Sequence, residues 1–424
     1  MLVDHSFAPN ALTDVLIIPV LKNKLKDPSN SANYRPIAIA SSASKIFELL
    51  ILNRMGDFLN TSDNQFGFKK MHSTDLCIFA LKEVVNYYRS MNTPIFICFI
   101  DIKSAFDRVS YWKLFVKLLK RGVPAYLVLI LCRWYCSQRL YAGWGSVRST
   151  AFTMSNGIRQ GSLLSPYLFN VYVDELNLTL NRSGVGCHVA GQIMNNFSYA
   201  DDMALVCPSA TALNELLARC DAFAQEHYII FSTSKTVCMS ILPKTIIMNK
   251  MPNIYLSDCK LSFVNSFKYL GHMISSDFSD EEDLRRENRS LCARGNAIVR
   301  KFHFCNMTVK TSLFKTFCYS LYCSSLWSTY RVSVLYRLKV TYNTIMRRLA
   351  GVPPWHSAAQ MFVELGVRSF GEVLRSVSYS LMERADVSQN GLLSVLRNSD
   401  ASTVSLQRQR WTALLFTRPH PGIH

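Results

Sequence analysis

The sequence predicts an α+β chain, and three observations carry that expectation. Short apolar runs rich in Ile, Phe, Val, Tyr and Leu recur through the middle of the chain, at 95–100, on both sides of residues 200–202 and within 229–242, and read as strands. Stretches with helical periodicity separate them, at 44–59, 105–120 and 211–225. Beyond the acidic cluster Asp280-Glu281-Glu282-Asp283 the strand signal stops and the chain reads as all-helical. With 424 residues, 49% of them hydrophobic, it can bury a large core and form more than one lobe.

Each element has a local reason. Val15-Leu16-Ile17-Ile18 is a short apolar run ahead of the first helical pattern. Pro94 opens the β-run at 95–100, which ends on Asp101, and Gly122 stops the amphipathic helix that follows. Residues 143–153 read as a hairpin region. Ser165-Pro166 predicts a helix start with Ser as N-cap and Pro at the first helical position, followed by Leu168, Phe169, Val171, Tyr172 and Leu176. A strand pair around 256–274 closes this part, and the acidic cluster reads as a boundary or a helix N-terminus. Pro353-Pro354 breaks the helical part, and the last twenty residues read as disordered.

The formal charge of +18 and a pI near 9.4 point to a polyanionic partner, nucleic acid before membrane. Much of the excess lies in 284–350, where Arg285, Arg286, Arg289, Arg294 and further Lys and Arg residues meet only Glu287. Aromatic neighbours such as Phe304, Tyr322 and Trp327 favour a groove that tracks a phosphate backbone. The 13 cysteines show no Cys-x-x-Cys pair or zinc-knuckle spacing and read as reduced core thiols. No basic n-region precedes an apolar run at Met1–His5, and the longest apolar run, 123–132, is too short to span a bilayer. An intracellular protein, nuclear or cytoplasmic, is expected.

The most informative feature is Phe197-Ser198-Tyr199-Ala200-Asp201-Asp202-Met203, two adjacent carboxylates inside an apolar hairpin. Desolvation and mutual repulsion make that costly, and a divalent cation is one reason to tolerate it. Alone, the pair would more often be a solvated turn. Asp101, at the end of an apolar strand, could complete a carboxylate cluster for two Mg²⁺ ions, although alone it would more often be a helix cap. Between them, Asn156-Gly157-Ile158-Arg159-Gln160-Gly161-Ser162 sets two glycines around a polar triplet before a helix, where backbone and Gln160 could hold a nucleotide.

These motifs resemble those of reverse transcriptases. Phe99-Ile100-Asp101-Ile102-Lys103-Ser104-Ala105-Phe106-Asp107 resembles motif A, 157–169 motif B and Tyr199-Ala200-Asp201-Asp202 motif C, in family order. Asn33-Tyr34-Arg35-Pro36-Ile37 with Lys45 and Glu48, and then Gln65-Phe66-Gly67-Phe68-Lys69-Lys70, resemble the two fingers motifs. Ser234-Lys235-Thr236 resembles motif D, and Phe267-Lys268-Tyr269-Leu270-Gly271 motif E, the primer grip. The wording is that of LINE-type, non-LTR retrotransposons, over roughly 15–275 and weakly to about 370.

The resemblance implies a right-hand polymerase: a reverse transcriptase domain at 1–275 (fingers about 1–93, palm with an antiparallel sheet about 94–275), a basic helical thumb at 276–350 and a helical C-terminal region with a disordered tail at 351–424. It implies Asp101, Asp201 and Asp202 as metal carboxylates, with Asp201 the main ligand of the pair. Phe106 would be the steric gate against a ribose 2′-OH, Gln160 and Gly161 nucleotide contacts, and Lys235 a proton donor to pyrophosphate. Lys69 or Lys70 would contact the triphosphate; relatives mostly carry Arg at the first, whose bidentate fork Lys69 lacks. Arg35, Tyr269, Leu270, Gly271, Arg285, Arg286, Arg289 and Arg294 are expected at the nucleic acid. RNA template, DNA primer and dNTPs are the implied partners. Neither an endonuclease domain before the fingers nor a Cys/His knuckle or clustered RNase H carboxylates after them is visible, so a truncated element product is expected. The competing reading is a non-catalytic RNA-binding, maturase-like remnant.

Overall fold

The computed structural model describes residues 10–23, 27–243, 245–246 and 248–416. The chain runs α1 (Asn10–Thr13), β1 (Asp14–Leu21), β2 (Tyr34–Ala40), α2 (Ser42–Met55), α3 (Thr74–Ser90), β3 (Ile95–Ile100), α4 (Tyr111–Lys120), α5 (Ala125–Cys136), β4 (Arg139–Trp144) and β5 (Val147–Arg148). It continues with α6 (Ser165–Arg182), β6 (His188–Val189), β7 (Gln192–Ile193), β8 (Asn196–Tyr199), β9 (Asp202–Cys207), α7 (Ala210–His227), β10 (Val237–Ile241), β11 (Tyr255–Leu256), β12 (Cys259–Lys260), β13 (Ser262–Phe263), β14 (Ser266–Tyr269) and β15 (His272–Ser275). Helices follow: α8 (Glu281–Lys301), α9 (Met307–Cys318), α10 (Val332–Ala350), α11 (Ala358–Glu364), α12 (Phe370–Asp386), α13 (Gly391–Asn398) and α14 (Leu406–Phe416). The α+β expectation holds.

The central sheet has the order β13-β10-β3-β9-β8, with β3 antiparallel to both neighbours. All six residues of β3 are buried. That is why Ile95-Phe96-Ile97-Cys98-Phe99-Ile100 is a continuous apolar run: a strand covered on both faces has no polar side to alternate with. Phe96, Cys98 and Ile100 enter one core with α4, α5, α6 and α7. Ile95, Ile97 and Phe99 enter another with α3. A second sheet, ordered β2-β1-β4-β5, pairs β1 antiparallel to β2 and parallel to β4.

The helices after β15 build a third core from Leu291, Phe314, Trp327, Leu338 and Tyr342. The C-terminal helices divide. Met361, Phe362, Phe370 and Leu374 join that third core, whereas Leu381, Met382, Leu392, Leu393 and Leu396 seal the core under α3 and β3. Arg384 clamps this arrangement, its two terminal nitrogens donating to Asp75 at 3.0 and 2.5 Å.

Several local expectations shift. The helix expected from 105 is a 3₁₀ turn at Ala105–Arg108 and then α4. The break exists because the turn is hydrogen-bonded across the chain: Ile158 N–H donates to Phe106 C=O and Gly157 N–H to Val109 C=O, both at 2.8 Å. Ser165 is the first residue of α6 rather than its cap; Leu164 caps it in a helical conformation and Pro166 falls one place further in. The strand at 229–242 shortens to β10, because 230–236 bonds to the chain around Asp101 instead. The acidic cluster does open a helix, yet Asp280 and Asp283 are buried. Residues expected to be disordered include α14, whose Leu406 and Trp411 pack on the core shared by α3 and β3; residues 417–424, like Met1–His5, lie outside the described residues. The 13 cysteines are free and mostly buried, and no helix among the described residues is long and apolar enough to cross a membrane.

Candidate active site

Antiparallel pairing puts the carboxylates together. Ile100 of β3 lies opposite Met203 of β9, so the next step of the register brings Asp101 beside Asp202 at one end of the sheet. β8 and β9 join through Ala200-Asp201, with Tyr199 opposite Asp202. Ala200 takes a left-handed conformation (φ 56°), which a residue with a Cβ adopts only under constraint.

The constraint comes from Gln65. Its Oε1 accepts from Ala200 N–H (2.8 Å) and Gly67 N–H (2.9 Å), and its Nε2 donates to Ala200 C=O (3.3 Å). Residues 64–66 run alongside β8: Phe66 N–H donates to Ser198 C=O and Ser198 N–H to Asn64 C=O, both at 2.8 Å. Gly67 lies so close that a Cβ there would stand 2.4 Å from Ala200 N. Asn170 of α6 fixes Gly67 in turn, donating to its carbonyl at 2.7 Å.

Asp101 is held through its backbone, its N–H donating to Thr236 Oγ1 (3.3 Å) and its C=O accepting from Ser232 N–H (2.7 Å). The same loop presents Lys235, whose Nζ stands 3.1 Å from Asp101 Oδ2. A cavity of about 340 Å³ opens here, lined by Asp101, Asp202, Lys235, Phe99, Phe267 and Tyr269 among others. Burial, and then the Asp101 charge, raise the Asp201 carboxyl above its ordinary range, while its own backbone N–H, Arg35 and Lys235 oppose the rise. Asp202 has an open face, yet surrounding protein, and then the Asp201 and Asp101 charges, push it up to about 6 against Lys235. Such mutual repulsion suits a group of oxygen donors for a hard divalent cation. Among the described residues, no group of three or more His, Cys, Asp or Glu side chains is arranged to hold a metal ion.

The loop at 157–161 sits against two elements. Gln160 C=O accepts from Ala38 N–H of β2 (2.7 Å), and the Gln160 side chain hydrogen-bonds Asp107. Gly161 has φ 111°, and a Cβ there would come within 2.8 Å of Ala38 O. Beneath the loop lies a buried ion pair: Arg159 Nη2 stands 2.7 Å from Glu48 Oε1, and Glu48 Oε2 accepts from Leu163 N–H at 2.5 Å. The Arg159 guanidinium lies over Trp134, 4.9 Å from the ring centre. Phe106 stacks on Phe169 with centroids 5.0 Å apart and planes 8° from parallel.

Several expected contacts are placed otherwise. Lys69 donates to the carbonyls of Thr61 (2.8 Å) and Ser62 (2.6 Å), so its charge is spent on the chain, and burial lowers its pKa. Lys70 and Arg35 are exposed. The Tyr269 ring packs against Phe99 and its hydroxyl donates to Phe197 C=O (3.0 Å), propping β8, while Tyr269 also lines the carboxylate cavity. Leu270 and Gly271 form the β14–β15 turn, and Tyr322 Oη donates to Leu270 C=O (2.7 Å). Arg286 is tied to Asp283 and Glu287, and Arg294 to Glu287; Arg285 pairs with Glu281 but is half exposed. Arg289 is exposed, with no ion pair among the described residues.

Gln65, Arg159 and Asn170 were missed as site residues. Gln65 and Arg159 lie inside the quoted motifs, and two buried amides beside the hairpin, Asn195-Asn196, were a further signal.

The strand-end carboxylates, the glycine loop and the aromatic turn follow one another on this α+β fold in the order of polymerase motifs. The chain belongs to the reverse transcriptase (RNA-dependent DNA polymerase) family, whose model matches residues 22–274. It is 26% identical to the RNA-directed DNA polymerase from mobile element jockey of Drosophila funebris, across 98% of this chain and 46% of that protein. The Drosophila melanogaster jockey polymerase is 23% identical across 99% of this chain and 46% of its own length. The Pol polyprotein of the type-1 retrotransposable element R2 from Popillia japonica is 25% identical across 58% of this chain and 36% of its own. The LINE-type resemblance is borne out. The chain spans about half the length of the jockey proteins. Among solved structures, apo telomerase from Candida tropicalis aligns over 97% of this chain and 67% of its own, with a TM-score of 0.47 and 11% identity.

Proposed function

We propose that this chain is the RNA-directed DNA polymerase of a non-LTR retrotransposon, extending a DNA primer on an RNA template with dNTPs. The observation that carries the reading is the meeting of Asp101, Asp201 and Asp202 at one end of β3 and β9, with Phe106 fixed on the turn that follows Asp101. The primer 3′-oxygen forms a bond to the α-phosphorus as the bond to the bridging oxygen breaks and pyrophosphate leaves. Divalent cations held by the three carboxylates, Mg²⁺ by the all-oxygen donor set, would neutralise the triphosphate and favour the ionised primer hydroxyl.

The chain's own residues position and discriminate. Lys235 Nζ, held beside Asp101, would serve as the proton donor to the departing pyrophosphate. Arg35, close enough to Asp201 to lower its pKa, and exposed Lys70 supply positive charge to the triphosphate. Gln160 and Gly161 set the nucleotide's position, and Phe106 crowds a ribose 2′-OH. Arg285 and Arg289 meet the template–primer backbone. A polymerase working on such substrates would act inside the cell, in the nucleus or cytoplasm.

The test is primer extension by the purified chain on an RNA template with Mg²⁺ and dNTPs, beside Asp201→Asn. The parent should incorporate and the variant should lose at least a hundredfold in rate. Equal incorporation by both, or none by the parent, would favour the non-catalytic RNA-binding remnant.

A further inference from the structure

A second cavity, of about 320 Å³, lies away from the carboxylates, between α10 and the turn that leads into α11. One side is a single stripe of α10: Tyr336, Lys339, Val340, Asn343 and Arg347 recur at three- and four-residue spacing. The opposite side of α10 is already used, since Leu338, Tyr342, Ile345 and Leu349 are buried in the helical core. The stripe is open: Tyr336 is 56% and Val340 43% exposed.

The other side of the cavity is Trp355, whose side chain is 85% exposed. Its backbone is held. His356 N–H donates to Pro353 C=O at 3.0 Å, closing a turn with Pro354 and Trp355 at its centre. Proline at the first central position suits such a turn, because its ring already fixes φ. Arg347 Nε then donates to His356 C=O at 3.0 Å and joins the turn to the helix. An indole presented on a rigid turn loses little freedom when something stacks on it. No carboxylate lines the cavity, and Lys339 and Arg347 both do.

We propose that this cavity binds one unpaired nucleotide of a single-stranded polynucleotide, its base on the Trp355 and Tyr336 rings and its phosphates beside Lys339 and Arg347. A flat apolar ring flanked by cations matches a nucleobase between phosphates, the pairing that single-strand-binding surfaces use. A cavity of this size is at the low end of ligand pockets, roughly 300–1,000 Å³. The proposal rests on the polymerase reading only for which strand arrives, the template ahead of or behind the duplex.

The experiment measures fluorescence anisotropy of a labelled twelve-nucleotide oligouridylate, with the full chain in its Asp201→Asn form so that catalysis plays no part. Trp355→Ala should weaken binding about tenfold, Trp355→Phe should restore most of it, and Arg347→Gln should weaken it and flatten its salt dependence. The Trp355→Ala chain with Asp201 intact should still extend a primer on a template trimmed to a short overhang. Loss on Arg347→Gln with none on Trp355→Ala would show phosphate attraction alone and overturn the stacking site. Unchanged binding by both variants would overturn the site altogether, whatever primer extension shows. Comparable loss with single-stranded DNA would mean that the cavity reads stacking and charge rather than the ribose.

Discussion

The gate proposed at Phe106 rests on a residue that is itself immobilised. The near-parallel stack on Phe169 fixes its plane, and its carbonyl is bound to Ile158 N–H. Phe106→Ala should admit ribonucleotides, lowering the dNTP-over-NTP preference in kcat/KM by at least tenfold with little loss of dNTP incorporation; an unchanged preference would remove Phe106 from the gate. Gln65 acts one step further back. Gln65→Ala leaves Ala200 N–H without its buried partner, which costs about 1–3 kcal/mol, and frees a turn that carries Asp201. Thermal unfolding should move down and single-turnover incorporation should slow; a fall in stability with an unchanged rate would reduce Gln65 to a core residue. Asp101, Asp201, Asp202 and Gln160 were legible in the sequence because their chemistry follows from residue type at a strand end or in a glycine loop. The bracing roles of Gln65 and Glu48, both part of the fingers motifs, were not, because their partners lie 135 and 111 residues away. Lys69 and Tyr269 show the opposite failure: a sequence displays a charge or a ring without showing whether the chain has already used it.

At the scale of the element, α8 makes that distinction along one helix. Its basic residues look equivalent in sequence, but Arg286 and Arg294 converge on buried Glu287, whereas Arg289 faces outward. Burial raises the Glu287 pKa, and the Arg294 and Arg286 charges oppose it. Arg289→Gln should weaken template–primer binding and reduce the logarithmic salt slope by about one, as loss of one phosphate contact does, with unfolding unchanged. Arg286→Gln should instead lower the unfolding midpoint and leave the salt slope nearly intact. Anisotropy titrations at several salt concentrations, paired with denaturant unfolding, separate the two; equal salt effects would contradict the assignment. The existence of α8 was legible from composition, but which of its cations are free depends on where Glu287 points.

For the whole molecule, the acidic cluster read as a boundary is also the joint. Lys82 of α3 stands 2.6 Å from Asp280 Oδ1, and Asp280 Oδ2 accepts from Ser328 N–H (2.7 Å) and Thr329 N–H (3.0 Å). Asp283 accepts from Trp327 Nε1 (2.7 Å) and Arg286 Nε (2.7 Å) and lies 3.0 Å from His272 Nδ1. Burial alone would raise Asp280, but the Lys82 charge and His272 hold it well below the usual carboxylate range; His272, Arg286 and Trp327 do the same for Asp283. A carboxyl depressed on folding stabilises the fold above its unfolded pKa, about 3.9, and that contribution is lost as pH falls through the folded value. Unfolding free energy should therefore fall below about pH 4. Asp280→Asn should be less stable near neutrality and show a shallower acid slope. Lys82→Met, which leaves the buried Asp280 carboxylate without its lysine partner, should cost up to about 3–5 kcal/mol. Chemical unfolding across pH 3–7 checks all three, and an acid slope unaltered in Asp280→Asn would contradict the linkage.

The return of the C-terminal helices to the core beneath α3 has a consequence for how the protein is made. Leu392, Leu393 and Leu396 meet α3 residues more than 300 positions earlier. When a ribosome has just delivered β15, the whole central sheet exists, but one face of its central strand β3 still lacks part of its cover. At typical elongation speeds the missing helices arrive on the order of ten seconds later. During that interval the nascent chain exposes apolar surface that the finished protein hides, so the last stretch translated governs the yield of folded protein.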